Sequence, residues 1–450
     1  MTASIDATFW HPFTQMKGWK AEAAPMIESG EGVWLTDTEG RRYLDGTSSL
    51  WCNVHGHRHP EIDAAVRSQL DRVAHTTTLG LSHSPAEELA RRLIQIAPRP
   101  FPLERGRGAL SRVFYSDSGS TAVEVALKMA FQYWQQAPDA CPSRTAFVSL
   151  EDAYHGDTVG SVSVGGIDLF HSLYRPLLFD SYKIAPGDGE GLADVLFHHG
   201  DEIAAVVVEP AVQGAAGIKL QPPGFLRTAR ELCDRHGVFL ICDEVATGFG
   251  RTGRMFACEH EGVVPDFLCI GKGLSGGYLP LAATLTTERV YEGFLGEHED
   301  LRTFFHGHTY TANPLACAAA LASLDVFERE RTLERLGLKI ALFGQLLRSL
   351  VEPLPHVAEV RRLGFMCGIE LAADPARGLA YQPGLRMGHE VTLEARSRGA
   401  IVRPLGDVVV LMPPLSITPD ELEELVEITA DSIAAATEQA ATGETYLRAA

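Results

Sequence analysis

Two carboxylates stand at the end of an apolar run near the middle of the chain. Asp243 and Glu244 directly follow residues 238–242, which read VFLIC. In open α/β sheets, ligands bind beyond the carboxyl ends of the strands, so acids placed there can face a bound ligand. A buried acid needs a cation, a hydrogen-bond donor or water as its partner. The pair therefore indicates either a binding edge or two acids that stabilise a loop.

A lysine flanked by glycines follows the next apolar run. Lys272 comes directly after residues 267–271 (FLCIG), and Gly273 follows it. A lysine at a strand end inside a cleft has a lowered pKa, which suits attack on a carbonyl group to form a Schiff base. The GxxxxGK[ST] spacing of a P-loop is absent, because position 266 is Asp and position 273 is Gly.

A glycine-rich segment lies between the acids and the lysine. Residues 248–253 read GFGRTG and fit GxGxxG literally. A dinucleotide fingerprint must directly follow the first strand and open a helix, whereas this segment lies deep in the chain. The sequence therefore disfavours a nucleotide-dependent dehydrogenase. We expect a glycine-rich loop that holds Arg251 near a substrate anion.

Two further segments combine polar and aromatic side chains at strand ends. Residues 116–121 (SDSGST) precede an amphipathic helical stretch, and hydroxyls and N–H groups at a helix N-terminus can bind an anion or simply cap the helix. Tyr154 and His155 follow the next apolar run. An aromatic ring at that place could stack on a planar cofactor.

Two groups of histidines do not predict a metal site. His55, His57 and His59 form one group, and His306 and His308 form the other. Neither group has the i, i+4 spacing of a zinc-binding helix or supporting cysteines. We expect no metal.

The elements that must position these residues alternate in type. Apolar runs predict strands, and runs that are apolar on both faces suit the centre of a parallel sheet. The predicted strands are 112–115, 146–150, 203–208 and 238–242, and the predicted helices include 62–73, 86–96, 120–134 and 223–236. This alternation of strands and helices along the chain predicts an α/β domain with a mostly parallel sheet.

The two ends of the chain have a different character. A hairpin is predicted at 32–43, a long helical region at 324–350, two strands within 357–371, a helix at 384–398, strands at 400–403 and 408–412, and a last helix after 419. We divide the chain into an N-terminal segment (1–55) that joins the small domain, a large domain (56–325) and a smaller C-terminal α+β domain (326–450).

Bulk properties narrow the class of protein. The net charge of −19 disfavours nucleic acid and anionic membrane as partners. No window of about 18 apolar residues predicts a membrane span. Eight scattered cysteines without a CxxC pair, and an N-terminus without a secretory pattern, predict a cytoplasmic protein with reduced thiols.

Together these segments resemble the class III aminotransferases of pyridoxal-phosphate (PLP) fold type I. The resemblance rests on DEVATGFGRTG at 243–253 followed by Lys272, 29 positions after Asp243. It covers nearly the whole chain. Within the family, the segments WHPFTQM, DGTSSLW, HGHRHP, YHGDT and HGHTYTANPLACA are most similar to the 8-amino-7-oxononanoate aminotransferases of biotin synthesis. The resemblance implies PLP as cofactor, a small-molecule amino donor and keto acceptor as partners, and a homodimer with shared active sites.

The resemblance also implies roles for individual residues. The catalytic residues would be Lys272, Asp243 and Tyr154. The cofactor-binding residues would be Gly119, Ser120, Tyr154, His155, Glu209, Asp243, Val245, Lys272, His308 and Thr309. The substrate-binding residues would be Phe13, Leu50, Trp51, Tyr154, Arg251, Lys272, Gly307 and Arg403.

In this assignment Lys272 forms the Schiff base and later moves the proton, while Asp243 pairs with the pyridine nitrogen. Tyr154 and Val245 contact the two faces of the ring. Gly119 and Ser120 hold the phosphate, which Thr309 and His308 of the neighbouring subunit also reach. Glu209 lies close to the ring, Gly307 lines the substrate channel and Arg403 anchors a substrate carboxylate.

Three positions depart from the family members that use S-adenosylmethionine. Those members carry two tyrosines and a tryptophan where this chain has Phe13, Val410 and Leu50. The pattern resembles the branch that uses L-lysine as amino donor. Another class III enzyme, acting on ω-amino acids or on amines with pyruvate, would share every cofactor residue and stays an alternative. A PLP-dependent aminomutase or decarboxylase and a non-catalytic PLP-binding protein are further alternatives.

Overall fold

The computed structural model describes residues 8–19, 22, 24–99 and 108–442. The strands are β1 (Ile27–Glu31), β2 (Trp34–Asp37), β3 (Arg42–Asp45), β4 (Leu110–Ser116), β5 (Ala146–Leu150), β6 (Tyr182–Ile184), β7 (Ile203–Val208), β8 (Val212–Gln213), β9 (Lys219–Leu220), β10 (Phe239–Asp243), β11 (Phe267–Ile270), β12 (Ala282–Thr287), β13 (Val357–Leu363), β14 (Met366–Leu371), β15 (Ala400–Ile401), β16 (Arg403–Leu405) and β17 (Val408–Leu411).

The helices are α1 (Met16–Trp19), α2 (Ser48–Trp51), α3 (Pro60–Leu70), α4 (Ser84–Ile96), α5 (Gly119–Gln136), α6 (Val159–Ser163), α7 (Asp168–His171), α8 (Gly189–His199), α9 (Phe225–His236), α10 (Glu288–Glu292), α11 (Pro314–Arg329), α12 (Thr332–Leu346), α13 (Met387–Ser397) and α14 (Pro419–Thr442). In the described part of the chain, no helix combines the length and the apolar character needed to cross a membrane.

A seven-stranded sheet forms the centre of the molecule. Its strand order is β4-β12-β11-β10-β7-β5-β6. The five strands from β11 to β6 are parallel, and β12 runs antiparallel to both of its neighbours. Every residue of β7 and β10 is buried, because helices cover both faces of the sheet. The predicted mostly parallel sheet is confirmed.

The register of the central strands brings the polar residues to one edge. Asp243, the last residue of β10, pairs with Cys269 of β11, so Lys272 follows only three residues beyond that level. Val208 ends β7 and Glu209 comes next. Because these strands are parallel, their carboxyl ends meet at a single edge of the sheet.

The beginning and the end of the chain share a second sheet. Its order is β1-β2-β3-β15, and Leu44 of β3 pairs in parallel with Ala400 of β15. The predicted hairpin is present as β2 and β3, extended by β1. A third sheet has the order β13-β14-β17-β16. The pairing of β3 with β15 supports the proposed association of residues 1–55 with the small domain.

The helical region predicted for 324–350 is present, but it is divided into two helices. Helix α11 begins at Pro314, where the Asn313 side chain accepts hydrogen bonds from two backbone N–H groups, and ends at Arg329. Arg331 has φ +52°, and a residue in the left-handed region interrupts a right-handed helix. Helix α12 starts after it, so the connection turns the chain instead of extending it.

Candidate active site

A cavity of about 180 Å³ opens at the carboxyl edge of the central sheet. It is lined by Trp51, Ser118, Gly119, Ser120, Tyr154, His155, Gly156, Asp157, Glu209, Ala215, Asp243, Val245, Ala246 and Lys272. Apart from Trp51, these residues lie at or beyond the carboxyl ends of β4, β5, β7, β8, β10 and β11. Side chains that the sequence scatters over more than 200 positions therefore share one space.

Lys272 stands in the loop directly after β11, and its amine lies inside the cavity. Its Nζ lies 4.7 Å from the centroid of the Trp51 ring. Burial lowers the pKa of Lys272, and the carboxylates of Asp243 and Glu209 oppose that shift. A lowered pKa leaves more of the amine unprotonated, which is the form that attacks a carbonyl carbon.

Asp243 is buried and held by two contacts. Its Oδ2 lies 2.8 Å from His155 Nδ1, and its Oδ1 accepts a hydrogen bond from the Val245 N–H at 3.0 Å. His155 is buried as well, and its Nε2 has no hydrogen-bond partner among the described residues. The imidazole thus fixes the orientation of the carboxylate. The sequence carries no signal for this contact, because the two residues are 88 positions apart.

The N-terminus of α5 forms one wall of the cavity. Ser118 caps the helix by accepting the Thr121 N–H, and the first N–H groups of a helix, here those of Gly119 and Ser120, have no partners within it. A Cβ at Gly119 would lie 2.5 Å from Val245 Cγ1, and a Cβ at Gly156 would lie 2.2 Å from Ser120 Cβ. Both positions require glycine, because the neighbouring side chains lie too close to leave room for a Cβ atom. Backbone donors and hydroxyls with this spacing could hold a phosphate.

Glu209 connects two loops beneath the cavity. Its carboxylate accepts hydrogen bonds from the N–H groups of Tyr154 at 3.1 Å and Gly214 at 3.0 Å. Burial raises the pKa of Glu209 to about 7, and the nearby His155 opposes the shift. The Tyr154 hydroxyl donates to Asp157 Oδ2 at 2.8 Å. These contacts fix the Tyr154 ring in the cavity wall.

Arg403 approaches the cavity from the third sheet. It is the first residue of β16 and pairs with Val410 of β17. Burial lowers the pKa of Arg403, and the phenol of Tyr154 lies near enough to oppose the shift. A partly buried guanidinium beside an active-site phenol can bind a carboxylate in a bidentate manner.

A strained turn presents Trp51 to the cavity. Ser48, Ser49 and Trp51 have φ of +52°, +61° and +64°. Such residues typically cost about 1–3 kcal/mol each and persist where the surroundings hold them. The buried carboxylate of Asp45 accepts the Ser49 N–H at 2.9 Å and 2.8 Å, and His57 Nε2 lies 2.9 Å from it. Sequence reasoning missed Asp45, since an acid before a turn is common.

The contacts of Arg251 are to backbone carbonyl groups, and its role at a substrate anion stays a prediction. The side chain is 1% exposed, and its guanidinium donates to the carbonyl oxygens of Pro413 and Asn53, each at 2.7 Å. Burial lowers its pKa to about 10. The residue joins the glycine-rich loop to the segments on either side of the cavity.

Several predicted site residues lie outside this cavity. Phe13 and Leu50 are 59% and 48% exposed. Gly307, His308 and Thr309 lie in the segment before α11, also outside the cavity lining. Val410 is buried in an apolar cluster with Trp51, so it lies behind the cavity wall.

Comparison with known proteins identifies the family. The model of the aminotransferase class-III family matches residues 16–433. The chain belongs to the class III aminotransferases. It is 59% identical to the adenosylmethionine-8-amino-7-oxononanoate aminotransferase of Nitratidesulfovibrio vulgaris, over 98% of this chain and 83% of that protein. It is 49% identical to the enzyme of the same name from Geobacter sulfurreducens, over 93% and 94% of the two chains.

Solved structures agree with this membership. The crystal structure of the Methanocaldococcus jannaschii adenosylmethionine-8-amino-7-oxononanoate aminotransferase has a TM-score of 0.90 at 43% identity, over 95% of this chain and 96% of that chain. A PLP-bound amine transaminase from an uncultivated Pseudomonas species has a TM-score of 0.86 at 36% identity, over 96% of this chain and 99% of that chain. The aminotransferase is a PLP enzyme of fold type I.

The donor set of the cavity fits this cofactor. The N-terminus of α5 suits the phosphate, the Asp243 carboxylate suits a protonated pyridine nitrogen, and the Lys272 amine suits the aldehyde. When bound, PLP withdraws electrons from the carbon that carries the substrate amine. The chain would contribute an acid to keep the ring nitrogen protonated and an amine to carry a proton.

Proposed function

We propose that the enzyme transfers an amino group to 8-amino-7-oxononanoate, giving 7,8-diaminononanoate in biotin synthesis, with L-lysine as the amino donor. The observation that carries the acceptor is the near-complete match to a relative named for it, at 59% identity. Arg403 supports this proposal, because a long keto acid with a terminal carboxylate needs a cation at the mouth of the site.

The proposed roles of the cavity residues follow their positions. Lys272 would hold the cofactor aldehyde through its amine and would move the proton at the reacting carbon of the substrate. Asp243, oriented by His155, holds the pyridine nitrogen. Gly119 and Ser120 hold the phosphate. The remaining assignments are Tyr154 and Val245 at the two ring faces, Glu209 beneath the ring, Trp51 at the substrate and Arg403 at its carboxylate.

The proposed donor rests on three side chains. Val410 pairs with Arg403 across the third sheet, so both side chains point to the same face. A tyrosine at this position would bring a hydroxyl towards the substrate, whereas valine packs behind Trp51. Phe13 and Leu50 likewise replace a phenol and an indole at the mouth of the site. The relatives' names include adenosylmethionine, so the donor requires a direct test.

The test offers L-lysine and S-adenosylmethionine separately with 8-amino-7-oxononanoate, and 7,8-diaminononanoate is measured by mass spectrometry. We expect product with lysine. Product with S-adenosylmethionine alone would support 8-amino-7-oxononanoate as the acceptor and reject L-lysine as the donor. If neither donor gives product while the protein retains the visible absorbance of bound cofactor, a transaminase of other amines, such as the Pseudomonas enzyme, becomes the better assignment.

We also propose a cytoplasmic homodimer with shared active sites. Gly307, His308 and Thr309 lie outside the cavity of their own chain, which supports a role at a second subunit's cavity. The segment around them includes exposed apolar side chains, with Phe305 73% exposed. All eight cysteines are unpaired, as in proteins of a reducing compartment.

A further inference from the structure

Helix α5 carries a row of polar side chains on the surface that faces away from the central sheet. Lys128, Gln132 and Gln136 stand four residues apart, so they line up along one side of the helix. All three form hydrogen bonds with the segment 302–306, which leads directly into residues 307–309. The helix that borders the active-site cavity with its N-terminus therefore also holds this segment along its side.

The segment 302–306 runs antiparallel to α5. Gln136 Nε2 donates a hydrogen bond to the Arg302 carbonyl at 3.3 Å, near the C-terminal end of the helix. Two turns of sequence are not needed to reach the next contact, because Gln132 Nε2 donates to the adjacent Thr303 carbonyl at 3.0 Å. The segment thus follows the helix towards its N-terminus.

The contact nearest to residues 307–309 joins Lys128 to His306. Lys128 Nζ lies 3.1 Å from His306 Nδ1. Burial lowers the pKa of His306, and the ammonium of Lys128 lowers it further. The imidazole is therefore neutral near pH 7, and its Nδ1 accepts the hydrogen bond, because an ammonium can only donate.

Aromatic contacts hold His306 against the large domain. Its ring stacks on that of Phe304, with centroids 5.5 Å apart and an interplanar angle of 25°. Phe304 in turn meets Phe114 of β4 edge to face, with centroids 5.3 Å apart. Phe305, between the two inner side chains, is 73% exposed. The segment thus has one side packed on its own chain and one side that faces outwards.

The segment passes the N-terminus of α5, where the phosphate is assigned. His308 Nε2 lies 3.9 Å from Asp117 Oδ1, in the loop before the helix. Thr309 is exposed and does not line the cavity of its own chain. A two-fold axis near this end of α5 would bring the Thr309 of each copy to Gly119 and Ser120 of the other copy.

We propose that α5 serves both active sites of a dimer: its N-terminus holds the phosphate in its own chain, and its contact from Lys128 to His306 positions Thr309 for the phosphate in the partner's site. This inference rests on the proposed homodimer with shared active sites. Lys128 and His306 line neither the cofactor site nor the substrate site, so they are positioning residues. Loss of their contact would loosen residues 307–309 and weaken PLP binding in the partner's site.

Variants of the holoenzyme test whether the contact matters for PLP. In Lys128→Met homodimers we expect the Kd for PLP to rise about fivefold to tenfold, because the segment loses a hydrogen bond that fixes it. His306→Ala should have the same effect, and the double variant should bind PLP no more weakly than either single variant, since both remove one contact. Lys128→Arg keeps a donor and should retain most of the affinity.

A substitution elsewhere on the same helix serves as the matched control. Gln135→Met also removes one hydrogen bond from an exposed side chain of α5, the bond to the Pro142 carbonyl at 3.3 Å, and leaves the segment 302–306 untouched. Its Kd for PLP should equal that of the unaltered enzyme. A Kd for Lys128→Met equal to that of this control would overturn the inference.

Mixed dimers show in which chain Lys128 acts. When one chain carries Lys272→Ala, only the site with the intact Lys272 turns over, and that site would use Thr309 of the Lys272→Ala chain. Lys128→Met in the Lys272→Ala chain should raise the PLP concentration for half-maximal turnover by about fivefold to tenfold. Lys128→Met in the other chain should change it by less than about twofold.

The remaining outcomes separate this inference from the proposed dimer. A defect only when Lys128→Met shares a chain with the intact Lys272, or equal defects in both arrangements, would overturn the inference. Thr309→Ala in the same two arrangements tests the shared site itself. If Thr309→Ala weakens turnover only in the chain that carries Lys272, the active sites are not shared, and the proposed dimer and the inference both fail.

Discussion

Arg251 and Arg403 show why an arginine's role depends on what surrounds its guanidinium. Arg251 lies in the glycine-rich segment that suggested anion binding, and the family resemblance assigned Arg403 to a substrate carboxylate. Arg251 is buried and donates to backbone carbonyls, whereas Arg403 lies partly buried beside the Tyr154 phenol. A backbone carbonyl and a substrate carboxylate are both good acceptors for a guanidinium, so the residue type alone does not distinguish them.

Lys272 gives the most direct residue-scale prediction. Lys272→Ala should retain the fold and lose turnover by at least about 100-fold, because both the amine and the proton carrier are removed. Turnover, the visible absorbance of the cofactor and the far-ultraviolet circular dichroism would be measured together. Substantial turnover in the folded variant would reject the assignment of the catalytic lysine.

At the scale of elements, the site depends on a strained turn as much as on the sheet edge. The turn at 47–51 holds Trp51 against Lys272 through Asp45 and a hydrogen bond from Ser48 Oγ to the Met412 carbonyl at 2.6 Å. The carbonyl belongs to the segment after β17. The position of Trp51 therefore requires the third sheet as well as the turn itself.

Asp45→Ala should loosen this turn. Removing the carboxylate leaves the Ser49 N–H without its acceptor, and a buried unpaired donor costs about 1–3 kcal/mol. Urea unfolding should show that loss, and Trp51 fluorescence should respond less to cofactor binding. Asp431→Asn, an exposed acid on α14, is the control. Stability and fluorescence equal to those of the control would show that Asp45 does not hold the turn.

At the scale of the whole molecule, Gly307, His308 and Thr309, which are assigned to the site, lie in a segment outside the cavity of their own chain. A second subunit that contributes Gly307–Thr309 would complete the phosphate site. This arrangement predicts a specific behaviour of mixed dimers, because each site would combine Lys272 of one chain with Thr309 of the other.

Lys272→Ala and Thr309→Ala chains should complement each other. Thr309→Ala alone should weaken PLP binding by about tenfold, the effect of one lost hydrogen bond to an anion. In a mixed dimer one site regains both residues, so about half the normal activity per dimer should return at low PLP concentration. If every site used residues of one chain only, mixing would restore nothing.

The sequence by itself determined the family, the cofactor and most of the elements. DEVATGFGRTG and Lys272 are local motifs that can be recognised in the sequence alone. Runs such as 203–208 are apolar throughout because the strand is buried on both faces, so the strand can be predicted without knowing what packs against it. The break between α11 and α12 was not predicted, because apolar residues continue on both sides of Arg331, whose left-handed conformation is visible only in the folded chain.

Only the tertiary structure decided which residues meet. No local pattern in the sequence connects His155 with Asp243, or Arg251 with the carbonyl groups that it contacts. The hydrogen bond from the Ser49 N–H to Asp45 was likewise not predicted from the sequence. Hydrogen bonds in a cavity depend on strand register and loop path, and these are set by the collective packing of the sheet and its helices.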